Sequence, residues 1–296
     1  MDFDGVTTAV ITPHIGTGVD SPIDWESLRS LLELQRKAGI QNIVPCGTTG
    51  ESPTLSKEEH MRVVSTAIEV FGGEHVIAGA GSNSTHHALE LSKGVKDLGA
   101  GATLQVTPYY NKPSQEGLFR HFGTIAEKVD LPMILYNIPG RCSREIAPET
   151  IARLAKEYSN IVGVKEATGN PEFWRKTRDL CGKDFIILSG DDNKTYALMK
   201  DYGARGVISV ASNIIPERMV RFVQFGLDGD WVAMEKENNA LESLFETLFI
   251  DTNPIPVKQF AFELRLIKHI GYRLPMCETS AANIQKIRDC IRKYSL

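Results

Sequence analysis

The chain has 296 residues, 42% of them hydrophobic and 24% charged, with 33 Lys+Arg against 37 Asp+Glu for a net charge of −4. That length gives one or two domains of ordinary globular composition, with a core large enough to need no covalent staples. The weak acidity argues against a nucleic-acid or anionic-membrane partner, and no window approaches the roughly 18 consecutive apolar residues of a spanning helix.

In chain order, short β-branched runs alternate with amphipathic stretches. Strands are predicted at 6–13, 42–47, 75–81, 102–108, 132–139, 161–167, 185–190 and 205–212. Leu28, Leu31, Leu32 and Leu34 lie at near-helical spacing between the first two strands. A second helix follows, with Ser56 and Glu59 as a capping box and Gly72-Gly73 as its stop. A third follows Pro148. Eight βα units before residue 230, with strands that read as continuous apolar runs, favour a closed (β/α)8 TIM barrel over an open doubly wound sheet. A dinucleotide fingerprint fails, because Ser84 stands where Gly79-Ala80-Gly81 would need its third glycine. Beyond 230 the alternation gives way to three helical patterns. Residues 1–230 are therefore expected to be the barrel, and 231–296 a C-terminal helical extension packed on it.

The amino-terminal residues are acidic rather than basic, unlike a signal peptide. Five cysteines with no C-x-x-C pair read as reduced thiols, so a cytoplasmic location is expected. The seven histidines show no metal-ligand spacing.

Barrel chemistry sits at the carboxyl ends of the strands. Standing there are GTTGES (47–52), TPYYNKP (107–113), YNIPGR (136–141), Lys165-Glu166 and SGDDN (189–193). Lysine is among the least buried residue types, yet Lys165 ends an apolar strand. Strict alternation puts Ile161, Gly163 and Lys165 on one face and Val162 and Val164 on the other, with Gly163 leaving empty volume beneath the lysine. An ammonium in that position is desolvated, its pKa falls, and the neutral amine can attack a carbonyl. The alternative is a strand-end lysine that snorkels to solvent or pairs with Glu166. Tyr136 ends the neighbouring strand as either a proton relay or a rim tyrosine. GTTGES is either a carboxylate-binding turn or an ordinary βα turn. Arg141 is either a carboxylate clamp or a surface ion pair. Asp191, Asp192 and Asn193 lack calcium-loop spacing and more simply cap the next helix.

Together, GTTGES, TPYYNKPSQEGL, LYNIPGRC, GVKEATG, LSGDD and GVISVASN, in this order, resemble the dihydrodipicolinate synthase family. That family lies within the pyruvate-dependent class I aldolases that include N-acetylneuraminate lyase, and the likeness runs along nearly the whole chain. It implies a lyase of lysine and diaminopimelate biosynthesis that condenses pyruvate with L-aspartate 4-semialdehyde through a Schiff base on Lys165. Tyr136, Thr49 and Tyr110 would carry protons, Tyr110 reaching in from a neighbouring subunit. Thr48 and Thr49 would receive the pyruvate carboxylate, Arg141 the semialdehyde carboxylate, and the Ile208 carbonyl would face the site, with Gly190 nearby. The resemblance also implies a homo-oligomer, commonly a tetramer built as a dimer of dimers, and no metal or organic cofactor beyond the covalent imine.

Some members are inhibited by L-lysine at a dimer-interface site. Ser52, His60, Asn83 and Tyr109 match it here, but His87 replaces an acidic residue and Lys57 a usual histidine, which predicts weak or absent feedback. The rivals are a sugar-acid lyase of the same family, a related hydratase-aldolase, a non-catalytic keto-acid-binding barrel, and a phosphate-binding isomerase. The last is opposed by Asp191 and Asp192.

Overall fold

The computed structural model describes residues 2–296. Eight strands, β1 (Gly5–Ala9), β2 (Asn42–Val44), β3 (Ile77–Gly79), β4 (Ala102–Val106), β5 (Met133–Asn137), β6 (Ile161–Glu166), β7 (Ile186–Ser189) and β8 (Gly206–Ser209), form one parallel sheet in the order β2-β1-β8-β7-β6-β5-β4-β3. An isolated parallel bridge between Ile43 and Val76, with Gly79 N–H donating to the Pro45 carbonyl, joins the two ends. The result is the expected (β/α)8 barrel. All eight predicted strands are present, shorter than expected at one or both ends, because the apolar residues beyond the ladders belong to the loops that build the upper rim.

The helices are α1 (Trp25–Lys37), α2 (Lys57–Phe71), α3 (Thr85–Asp97), α4 (Gln115–Lys128), the short α5 (Pro139–Cys142), α6 (Pro148–Glu157), α7 (Pro171–Cys181), α8 (Thr195–Tyr202), α9 (Pro216–Leu227), α10 (Trp231–Thr247), α11 (Ile255–Glu263) and α12 (Ala281–Tyr294). The capping box of α2 forms as read: Glu59 N–H donates to Ser56 Oγ, and Ser56 N–H donates to the Glu59 carboxylate. Of the three carboxy-terminal helical patterns, the middle one is shorter than expected. It ends at Glu263, and Arg265 just beyond it turns left-handed at φ 59°. Met234, Leu241, Val257, Phe260 and Ile287 of α10–α12 share one buried cluster with the layer between strands and helices, so their apolar faces are satisfied within the chain.

A second, smaller cluster fills the barrel lumen. Val44, Ile77, Leu104, Ile134, Ile186, Leu188 and Ile208 form it, with Tyr136 among them. The alternation expected for β6 is broken. Ile161 joins the outer cluster with Val164, while Val162 packs against the lumen cluster. A register shift between Met133 and Ile134 on β5 lets Ile161 and Gly163 pair with consecutive residues, which resets the phase below Lys165. Gly163 leaves no empty volume either: a Cβ there would stand 2.5 Å from the Ile186 carbonyl oxygen and 3.2 Å from Ile134 Cδ1. The glycine is required because β7 comes too close for a side chain.

Candidate active site

Tyr136 and Lys165 are register partners on adjacent parallel strands, so their side chains emerge side by side. Both are buried, at 5% and 6% exposure, and Lys165 Nζ lies 4.4 Å from the centroid of the Tyr136 ring. Snorkelling is thereby excluded. So is pairing with Glu166, whose carboxylate accepts from Thr168 N–H and Asn137 Nδ2 instead. Burial lowers the Lys165 pKa to about 8, against the pull of Asp191 and Asp192 and with help from Arg141. A drop from 10.5 to 8 raises the neutral fraction near pH 7 by about 300-fold. Burial, with Asp191 nearby, pushes the Tyr136 phenol well above its ordinary value, so it holds its proton. Thr48 lines the same cavity as this phenol and opposes the rise.

These side chains border a cavity of about 40 Å³, room for roughly three waters. Thr48, Thr49, Tyr136, Arg141, Lys165 and Gly190 all line it, which brings together most of the residues singled out from the sequence. Thr49 is buried, and its Oγ1 accepts from Asn253 Nδ2 at 2.9 Å, leaving its own proton to point elsewhere. Arg141 sits on α5 and donates from Nη2 to the Asn253 carbonyl at 3.1 Å. Gly190 is needed for close approach, since a Cβ would stand 2.7 Å from Ala167 Cβ.

The Ile208 side chain is fully buried in the lumen cluster, and Val210, two residues on, lines the cavity. Tyr110 is 88% exposed and does not reach Lys165 within its own chain.

The capping role expected of the SGDDN segment is not what forms. The Asp192 carboxylate accepts from Val210 N–H and Ala211 N–H, fixing the turn after β8, while Asp191 lines the cavity. Burial raises the Asp191 carboxyl, and Lys165, Lys194 and Arg141 oppose that rise. Asn253 and Phe249 also line the cavity, and sequence reading did not find them. They arrive from the connection between α10 and α11, which is far in sequence from any strand end.

A larger cavity of about 640 Å³ adjoins the first, sharing Thr48, Ile138 and Arg141. Ser52, Lys57, His60, His87 and Tyr109 line it; Asn83 does not, and its carbonyl accepts from Asn111 Nδ2. Glu90, unnoticed in the sequence, stands three residues beyond His87 on α3 and returns a carboxylate to this cavity. Lys57 Nζ is 3.6 Å from it. Among the described residues, no group of three or more His, Cys, Asp or Glu is arranged to hold a metal ion. Nor, among those residues, is any helix long and apolar enough to cross a membrane.

Residues 2–294 match the model of the dihydrodipicolinate synthetase family. A 4-hydroxy-tetrahydrodipicolinate synthase of Sulfurihydrogenibium sp. is 44% identical over 295 residues, 99% of each chain. The crystal structure of dihydrodipicolinate synthase from Aquifex aeolicus superposes with a TM-score of 0.95 at 43% identity, covering 99% of both chains. That of the chloride-inhibited Acinetobacter baumannii enzyme complexed with pyruvate gives 0.94 at 41%, again over 99% of both. The buried lysine–tyrosine pair above a packed lumen is thus set in a chain whose whole length follows one family, and the protein belongs to the dihydrodipicolinate synthetase family.

Proposed function

We propose that the chain catalyses the reaction for which its full-length relatives are named, the condensation of pyruvate with L-aspartate 4-semialdehyde. The observation that carries this reading is the desolvated Lys165 amine beside the Tyr136 phenol, at a cavity with room for only a few heavy atoms. Neutral Lys165 adds to the pyruvate ketone, and loss of water leaves a protonated imine. The imine withdraws electrons, so a methyl proton leaves and an enamine forms. The enamine carbon attacks the semialdehyde carbonyl. The substrate's amino group then closes on the imine carbon and releases Lys165. Tyr136 supplies and recovers protons, linked through the Thr49 hydroxyl to Tyr110 of a neighbouring subunit. The hydroxyls and amides of Thr48 and Thr49 receive the pyruvate carboxylate, and Arg141 receives that of the semialdehyde. The imine is the electron sink, so no metal or organic cofactor is needed.

The working unit is a homo-oligomer, a dimer of dimers, in which each Tyr110 serves a neighbouring site. The five free thiols suit a reducing, cytoplasmic setting. Incubation with pyruvate and borohydride tests the chemistry: the added mass should map to Lys165 and vanish in Lys165→Ala. A different site, or no adduct, would overturn the mechanism.

L-Lysine feedback is weak in this reading. The Glu90 carboxylate in the larger cavity is engaged by Lys57, and His87 adds a second basic side chain there, so an incoming ammonium meets competition rather than a free anion. Clear inhibition by submillimolar L-lysine in a steady-state assay would contradict it.

A further inference from the structure

The turn that carries Thr48 and Thr49 is bracketed by two residues in the left-handed region, Cys46 at φ 55° and Glu51 at φ 53°. Neither is glycine, and such conformations persist only where surroundings impose them. Around Glu51 the surroundings are a fully buried ionic cluster. Its Oε1 is 2.5 Å from Lys258 Nζ on α11, and its Oε2 accepts from Arg273 N–H at 3.3 Å. Lys258 is 0% exposed and also meets His14 Nδ1 at 3.2 Å and the Tyr272 ring at 4.7 Å. Arg273 closes the outer side with a bidentate contact to Glu59 at 2.6 Å. The turn itself is tied on both sides of Thr49: Glu51 N–H donates to the Thr48 carbonyl, and Thr12 Oγ1 donates to the Gly50 carbonyl.

A buried ion pair is a poor route to stability, because well-packed apolar side chains of similar volume usually do as well or better. What it supplies is direction. The carboxylate must lie where the ammonium is, so α11 dictates the backbone of Glu51 two residues from Thr49. We infer that Glu51 and Lys258 are positioning residues for the reaction: the pair docks the C-terminal extension onto the 47–52 turn and holds the amides and hydroxyls of Thr48 and Thr49 at the angle that receives the pyruvate carboxylate. This rests on the pyruvate-condensing function above and gives the extension a task at the site.

The test compares the full chain with Glu51→Gln and with the double variant Glu51→Gln/Lys258→Met, which leaves no uncompensated buried charge. In the double variant, KM for pyruvate should rise about tenfold or more and KM for the semialdehyde should stay within about twofold. The borohydride adduct should still form on Lys165 at saturating pyruvate. Glu51→Gln, which keeps an oxygen for the Lys258 amine, should fall between the two. A folded double variant with an unchanged pyruvate KM would overturn the inference, as would equal rises in both KM values. If the double variant does not fold, amide exchange on the wild-type chain decides. Pyruvate should slow exchange in segments 47–55 and 253–260 together, and protection of the first alone would count against coupling. A wild-type chain that forms no adduct sinks the functional reading itself, and the inference with it.

Discussion

Lys165 and Lys258 are both buried, but Lys258 is held by the Glu51 carboxylate, whereas Lys165 lines the small cavity beside the Tyr136 phenol. Burial is the leading cause of its low pKa, and the two aspartates that follow β7 only moderate it. The consequence for catalysis is a rate of imine formation that climbs with pH, about tenfold per unit, until the amine is neutral near pH 8, and then levels. Stopped-flow or quench trapping of the pyruvate adduct from pH 6 to 9 measures it; a flat profile would show that the resting amine is already neutral. The same shift has a cost in stability. Below pH 8 both folded and unfolded lysines are protonated, and the folded one bears the desolvation penalty. Between about 8 and 10.5 the unfolded lysine holds a proton that the folded one has lost, so this group's contribution to stability rises with pH through that window. Lys165→Met should therefore gain about 3 kcal/mol at pH 7 and lose most of that advantage by pH 10, read from urea midpoints. Asp191 is the residue that sequence reading misjudged at this scale. Its pattern with Asp192 and Asn193 looked like a cap, and only the loop geometry separates Asp192, which holds the turn after β8, from Asp191, which faces the cavity.

At the level of elements, the strands were legible because both of their faces are buried, which leaves apolar runs that no surface segment imitates. The helices with explicit caps were legible for the same local reason, as Ser56 and Glu59 show. What could not be read was phase. Nothing in the sequence 161–166 announces that β5 slips by a residue against β6, and strict alternation assigned Ile161 and Val162 to the wrong faces while still sending Lys165 to the right one. Gly163 is the pivot of that error. Its missing side chain suggests room, and the strand beside it leaves none. Gly163→Ala should destabilise the chain by about 1–3 kcal/mol through overpacking against Ile186, and should slow adduct formation by tilting the strand that carries Lys165. Gly140→Ala is the control, since a Cβ there meets nothing within 4 Å and should leave the unfolding midpoint in place. Equal midpoints for the two variants would refute the close-packing account. The reach of α11 into the site was equally invisible, because Asn253 and Lys258 become neighbours of Thr49 and Glu51 only across about 200 residues of chain.

Across the whole molecule, one feature has no explanation within a single chain. The loop after β4 is firmly built: Asn111 Nδ2 donates to the Asn83 carbonyl, Arg144 Nη2 donates to the Lys112 carbonyl, and Tyr110 and Lys112 hold left-handed φ angles of 73° and 45°. Yet this rigid platform presents Tyr110 to solvent at 88% exposure, next to Tyr109 in the larger cavity. Strain of that kind clusters where it serves a function, and a projecting phenol on a firmly held backbone is suited to enter a second copy related by a twofold axis. If it completes the neighbour's proton path, the defects of two inactive chains should compensate. Lys165→Ala keeps its Tyr110, and Tyr110→Phe keeps its Lys165. In a mixed dimer, one site then has a native lysine and a native tyrosine from opposite chains. Equal mixing after subunit exchange gives half the dimers as hybrids with one whole site of two, so activity should recover to about a quarter of wild type. If each Tyr110 instead served its own chain, no site in the mixture would be whole, and the activity would remain the average of the two variants assayed apart.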